Sequence, residues 1–214
     1  MNPDDKDVFD SLEKLRVVQG ICERLGVWTQ PRMFGSVCVV PVYSWYDTPP
    51  SPNTLWIPAP GLFSDDERLW TDYHMCKWPS QLPKDRITKY FAQLNRLAQD
   101  SVEPGVPVVT FSHFLTHDEE LDRSLGTSAY RLSQKRVLSY TGTFPNFSLV
   151  AGSSLFAPQI AALSPCVHVF AHSHRKASYM SDVLPGTQFV NNPLGYPKER
   201  SSGKISHFTE PMKI

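Results

Sequence analysis

"CVHVFAHSHRK", residues 166–176, decides how the rest of the chain is read. Its first half is a short apolar run of the kind that forms a strand buried on both faces. Its second half puts two histidines, His172 and His174, one residue apart where the strand ends. Turns favour Gly, Asn, Asp, Ser and Pro for backbone reasons that a histidine does not meet. Imidazole chemistry, rather than turn geometry, is the first explanation to pursue.

Working outward, the same arrangement occurs a second time. "VPVVTF", 106–111, is another short apolar strand, and it runs directly into "SHF" with His113. A helix is predicted ahead of each strand: Lys84 to Gln99, with Ile87, Phe91, Leu94 and Leu97 at helical spacing, and Ser153 to Leu163. Helix, apolar strand, then histidine at the strand's C-terminal end predicts an α/β fold with parallel strands. In such sheets ligands bind at that edge. Further out, Val8, Leu12, Leu15, Val18, Cys22 and Leu25 predict an amphipathic helix from Asp7 to Leu25, with Asp7 as N-cap and Gly26 just past its end. "SVCVVPVYS" from Ser36 reads as a strand despite Pro41. The tail after His174 reads as a β-hairpin turning at Pro185 and Gly186.

Composition bounds the rest. At 214 residues and 41% hydrophobic content the chain has enough material for one substantial core, and a single domain over 1–214 is expected. Lys plus Arg equals Asp plus Glu at 21 each, so there is no overall field to hold a polyanion, and no nucleic acid is expected as partner. No stretch reaches about 18 uninterrupted apolar residues and the start is acidic, so no membrane partner is expected and a cytoplasmic location is. Cys22, Cys38, Cys76 and Cys166 have no CxxC spacing and read as reduced, small core residues. Eight of the 19 prolines lie between Pro41 and Pro83, with four of the five tryptophans. Residues of about 44–83 therefore form an irregular Pro/Trp-rich insertion. Trp45, Tyr46 and Trp56 are its candidates for bordering a substrate, with simple packing as the competing reading.

Strand ends of one parallel sheet converge on one edge, so His113, His172 and His174 are candidate metal ligands. In extended backbone the i and i+2 histidines point to opposite sides, so two adjacent metals could take one each. Neutral imidazole suits late first-row ions, and paired ions 3.5–4 Å apart serve phosphoryl hydrolysis. His168 reads as a satisfied core residue and His117, in "THDEE", as part of a solvated loop; His74 and His207 carry no signal. A mononuclear zinc hydrolase built on His113, His172 and His174 is a further reading.

With those residues in view, the chain resembles the calcineurin-like metallophosphoesterases. "VVTFSHFL" is similar to that family's strand-plus-histidine block, and "VHVFAHSH" to its final G-H-x-H block, with Ala171 where the family has Gly. "FVNNPLGYPKE", "DSLEKLRVVQGICERLGV" and "VCVVPVYSWYD" resemble further stretches of the family. The resemblance implies a β-sandwich flanked by helices, incomplete at the N-terminus. It implies a metal-dependent phosphoesterase acting on phosphate mono- or diesters, with His113 and His172 on one metal and His174 on another. The metals implied are divalent or trivalent, Mn, Fe or Zn, two in a complete site.

The family's D-x-H, G-D and G-N-H-E blocks have no counterpart in this sequence. Asp4, Asp5, Asp7, Asp10 and Glu13 sit at a helix N-terminus, where acidic residues are favoured in any case. Without a bridging carboxylate, two cations held by neutral imidazoles repel each other. The resemblance thus implies an incomplete or degenerate member. The alternative is a non-catalytic, metal-binding scaffold or interaction protein, with self-association or a partner covering an incomplete sheet.

Overall fold

The computed structural model describes residues 10–55, 63–64, 66–125, 144–203 and 205. Helix α1, Ser11–Arg24, is capped by Asp10: its Oδ1 accepts from the amides of Leu12 and Glu13, and the Glu13 carboxylate accepts from the Asp10 amide. That reciprocal pairing sets the helix start at a residue with the right partner three positions on. The expected cap, Asp7, and Val8 lie outside the described residues. The helix stops at Leu25, and Gly26 follows at a φ of 70°, as the glycine there predicts.

Strands β1, Arg32–Phe34, and β2, Val37–Pro41, form a hairpin through Gly35. The expected strand is β2; β1 is too short and too exposed to leave a pattern in the sequence. Pro41 is tolerated because of its place. The amides of Cys38 and Val42 point toward the next strand, so the donorless nitrogen of Pro41 faces the β1 side, beyond the last β1 partner at Val39. The Pro/Trp-rich insertion holds only short elements among its described residues: β3, Phe63–Ser64, a 3-10 turn at Glu67–Leu69, and α2, Thr71–Met75.

The two helix-strand units follow as predicted. Helix α3, Ile87–Gln99, leads to β4, Val108–Phe111. Helix α4, Asp118–Leu125, comes next, then β5, Phe144–Pro145, which pairs with β3. Helix α5, Ala157–Leu163, leads to β6, Val167–Val169. The predicted hairpin is β7, Ala177–Met180, with β8, Gln188–Asn191, and Gly186 turns it at a φ of 86°. Helix α6, Pro197–Ser201, closes the described chain.

The result is a mixed α/β protein around a six-stranded sheet in the order β1-β2-β4-β6-β8-β7. Strands β2, β4, β6 and β8 are parallel, and the antiparallel β1 and β7 form the two edges. The α/β character is as expected, while the strands of the described residues form this one large sheet and a separate two-stranded pair rather than the two packed sheets of the expected β-sandwich. Register puts Cys38, Val108, Val40, Thr110, His168 and Phe189 on one face, and all are buried. Leu163 of α5 and Leu121 of α4 are among the residues packed there. On the other face, Val109, Val167 and Val190 are joined by Val37, Val39 and Val169, which are strand residues themselves. Burial of each valine removes about 1.5–3 kcal/mol worth of exposure, so both faces contribute to the core. Among the described residues no helix is long and apolar enough to cross a membrane.

Candidate active site

Two loops at the C-terminal edge of the sheet carry the three candidate histidines. The first leaves β4. Ser112 continues the ladder through its amide to the Val169 carbonyl, and its hydroxyl donates to the Phe114 carbonyl two residues on. That tight turn swings His113 out. Beyond it, the Leu115 amide donates to Ala151 and the Ser153 amide to Leu115. The crossing admits only glycine at position 152, since a Cβ there would stand 1.9 Å from the Leu115 carbonyl oxygen.

The second loop leaves β6. Ala171 donates its amide to the His113 carbonyl, tying the two loops together. His172 and His174 then take left-handed backbone, with φ of 62° and 51°. Non-glycine residues pay for that conformation, and such departures cluster at functional sites. Ala171 is not left-handed, so alanine in place of glycine there adds no strain of the kind considered from the sequence. The bends also break the extended alternation that would send the two histidines to opposite sides.

His172 is turned onto His113, with its Nδ1 3.2 Å from His113 Nε2. Phe114 and Phe147 pack on its ring at centroid distances of 4.6 and 5.1 Å. Burial in this aromatic cup drives the His172 pKa down to about 3, with His113 adding to the effect. His113 is also held below its ordinary value, by desolvation first, with Asp72 opposing and His174 adding a smaller push downward. Both rings are therefore neutral near pH 7, the form that ligates metals. The Nε2 of His172 is buried and has no hydrogen-bond partner; the Val150 carbonyl favours protonation of the ring without reaching hydrogen-bond geometry. A buried ring nitrogen without a hydrogen-bond partner is costly.

His174 points elsewhere. Its Nδ1 lies 2.9 Å from the Glu199 carboxylate, and the Tyr196 ring packs against it at 4.9 Å. The structure thus brings His113 and His172 together and places His174 nearby on a separate partner.

Two acidic groups at the site were not found from the sequence. Asp72 of α2 interacts electrostatically with His113, and its carboxyl is pushed up by burial, with His113 and the Tyr46 hydroxyl opposing. Glu199 comes from α6. Both reach the site from segments remote in sequence, and only folding makes the pairing visible. Tyr46 is buried and stacks on Trp45 and Phe114, so its ring is packing and its hydroxyl serves Asp72. Trp45 packs on Trp78 and Phe114. Trp56 and His207 lie outside the described residues, as do Asp4, Asp5 and Asp7.

His117 corrects the reading of "THDEE" as a solvated loop. It is buried, its Nδ1 pairs with the Thr116 hydroxyl at 2.8 Å, and Glu120 turns inward to accept from the amides of Thr116 and His117. The same carboxylate reaches His168 Nε2 at 3.2 Å. His168 is the satisfied core residue expected.

As donors for a metal, the three histidines fit as part of a set. Neutral imidazole suits Zn, Fe, Ni or Cu, and His172 Nε2 makes no hydrogen bond. Yet among the described residues no group of three or more His, Cys, Asp or Glu is arranged to hold an ion.

No family model and no curated protein matches the chain. The fold does match a solved structure, phosphopantetheinyl hydrolase (PptH) from Mycobacterium tuberculosis, with a TM-score of 0.63 and 19% identity over 96% of this chain and 68% of that one. At that identity the likeness shows a shared fold. These findings overturn the assignment to the calcineurin-like family: no family model supports it, and the structure that matches carries a different name. The physical reason is that its two main blocks are a short apolar strand followed by histidine. Any parallel sheet with a site at its C-terminal edge can present that pattern.

Proposed function

We propose that this chain is a hydrolase of phosphate esters whose reaction takes place between His113, His172 and His174. The observation that carries the reading is the pair of neutral imidazoles 3.2 Å apart at the C-terminal sheet edge, one of them with a buried nitrogen left unpartnered. The fold it shares with a phosphopantetheinyl hydrolase supports the substrate class, since a phosphopantetheinyl group is attached through phosphate. His113, His172 and His174 would hold the metal, a divalent or trivalent ion such as Mn, Fe or Zn. When bound, such an ion supplies hydroxide at neutral pH and polarises a phosphoryl oxygen. The chain's own residues orient and seclude: Phe114 and Phe147 wall the His172 ring, and the left-handed turns at His172 and His174 aim the imidazoles.

The test is hydrolysis of p-nitrophenyl phosphate, bis-p-nitrophenyl phosphate and a phosphopantetheinyl-serine peptide, with Mn, Fe or Zn added. Metal-stimulated turnover that falls at least about 100-fold in His172→Ala is expected, the size of a lost metal ligand or its support. No metal-stimulated turnover on any of the three would overturn the reading.

A second reading is a non-catalytic scaffold. It draws on the lack of a three-donor group among the described residues. It expects a dimer or a stable complex in sedimentation, and a strictly monomeric chain counts against it.

A further inference from the structure

We infer that Glu199 is a positioning residue that fixes the tautomer and the direction of His174, an inference that rests on reading His174 as a metal-facing group. A carboxylate oxygen 2.9 Å from Nδ1 is bonded only if Nδ1 carries the proton, because two lone pairs at that distance repel. The Nε2 of His174 then keeps its lone pair and makes no hydrogen bond to a described residue. That is the atom a cation would take. A histidine that donates through one nitrogen to a carboxylate and ligates through the other is oriented and made a stronger donor.

The carboxylate is itself held by backbone. Glu199 Oε2 accepts the Tyr196 amide at 2.8 Å as well as the His174 ring. Arg200 binds the carbonyls of Leu194 and Gly195 at 3.0 and 2.6 Å, closing the turn from the other side. Gly195 sits at a φ of 62°, and a side chain there would press on Ile205 and Glu199, so glycine suits this turn. On the histidine's side, the backbone is left-handed at a φ of 51° and the Tyr196 ring packs against the imidazole at 4.9 Å. The left-handed turn at His174 is thus faced by a carboxylate that a backbone amide also holds. His172, the other left-handed histidine, has an imidazole as its Nδ1 partner instead, so the two rings differ in donor strength.

The experiment uses the full chain and two variants, Glu199→Ala and Glu199→Gln, and it reads tautomer and metal affinity separately. Long-range proton-nitrogen correlation spectra of the metal-free protein report which nitrogen of His174 carries the proton. The expected result is Nδ1–H in the parent chain and in Glu199→Gln, whose amide oxygen still accepts, and a shift toward Nε2–H in Glu199→Ala. Calorimetric titration with Zn²⁺ is expected to weaken about 10- to 100-fold in Glu199→Ala and by no more than about threefold in Glu199→Gln. A parent chain with His174 in the Nε2–H form overturns the inference, as does Glu199→Ala with tautomer and Zn²⁺ affinity unchanged. Thermal unfolding of both variants is followed alongside: destabilisation with no tautomer change assigns Glu199 to capping α6 alone. A parent chain that has the expected tautomer but binds no Zn²⁺ sinks the metal-site reading while leaving the orientation of His174 by Glu199 in place.

Discussion

Two histidine-carboxylate pairs sit on the same stretch of chain, and they differ in every respect that matters. His168 and Glu120 are fully buried, and both ring nitrogens of His168 are engaged, Nδ1 by the Thr110 hydroxyl and Nε2 by Glu120. Glu120 accepts two backbone amides as well. His174 and Glu199 keep side-chain exposures of 31% and 21%, the histidine backbone is left-handed, and one ring nitrogen has no described partner. The first pair is saturated and unstrained, which is what a structural polar network in a core requires. The second is unsaturated and strained, which is what a site requires. Proximity of a histidine to a carboxylate does not separate the two; the state of the remaining nitrogen does.

The largest effect expected from pressing on that contrast is at the buried pair. Glu120→Ala leaves His168 and the amides of Thr116 and His117 without their partner, and should cost about 3–5 kcal/mol in denaturant unfolding. A loss under about 1 kcal/mol would mean the network is not the structural one described. Next is the crossing that holds the His113 loop. Gly152→Ala forces a methyl into the Leu115 backbone and should cost about 1–3 kcal/mol, checked by the same unfolding midpoint.

Smaller still is the part of the pH dependence that His117 carries on the buried side, beside the shares of His172 and His113 at the site. His117 is held below its ordinary value by burial first, with His168 adding to this and Glu120, Glu119 and Asp118 opposing it. A native histidine with a depressed pKa stays neutral while the unfolded one protonates. Stability is therefore full above the unfolded pKa near 6.5 and declines as pH falls toward the native value, by up to about 1.4 kcal/mol per pH unit for one group. His117→Asn, which keeps an acceptor near the Thr116 hydroxyl, should flatten that share of the slope between pH 6.5 and 5 when unfolding is followed across pH. The smallest stability effect belongs to the open pair: Glu199→Ala should cost about 1 kcal/mol in the same unfolding measurement, the scale of a helix cap. A cost as large as that of Glu120→Ala would erase the distinction drawn between the pairs.

What the sequence disclosed, and what it withheld, divides along the same line. The helices at Ser11–Arg24 and Ile87–Gln99, the strands at Val108–Phe111 and Val167–Val169, and the hairpin turning at Gly186 were all readable, because apolar periodicity and turn residues are local signals. So was the gathering of His113, His172 and His174 at one sheet edge, because parallel strands end there; that His172 turns onto His113 and His174 onto Glu199 is seen only in the fold. His117 was misread because "THDEE" looks like a solvated loop, and only the fold shows that the histidine is buried and that Glu120 turns inward beside it. Asp72 and Glu199 were invisible for a different reason: nothing in either local sequence announces a histidine it meets only after folding. The left-handed turns at His172 and His174 also leave little trace: histidine is enriched at positive φ but still seldom adopts it, and glycine, the usual marker of such a position, is absent from both.

The crossing at Gly152 has a consequence for inheritance. Because the His113 loop and the 147–156 loop touch main chain to main chain, their separation is fixed by bond lengths and peptide planes rather than by any particular set of side chains. Residues on either side can drift through many substitutions while the histidine stays in register, provided the glycine does not change.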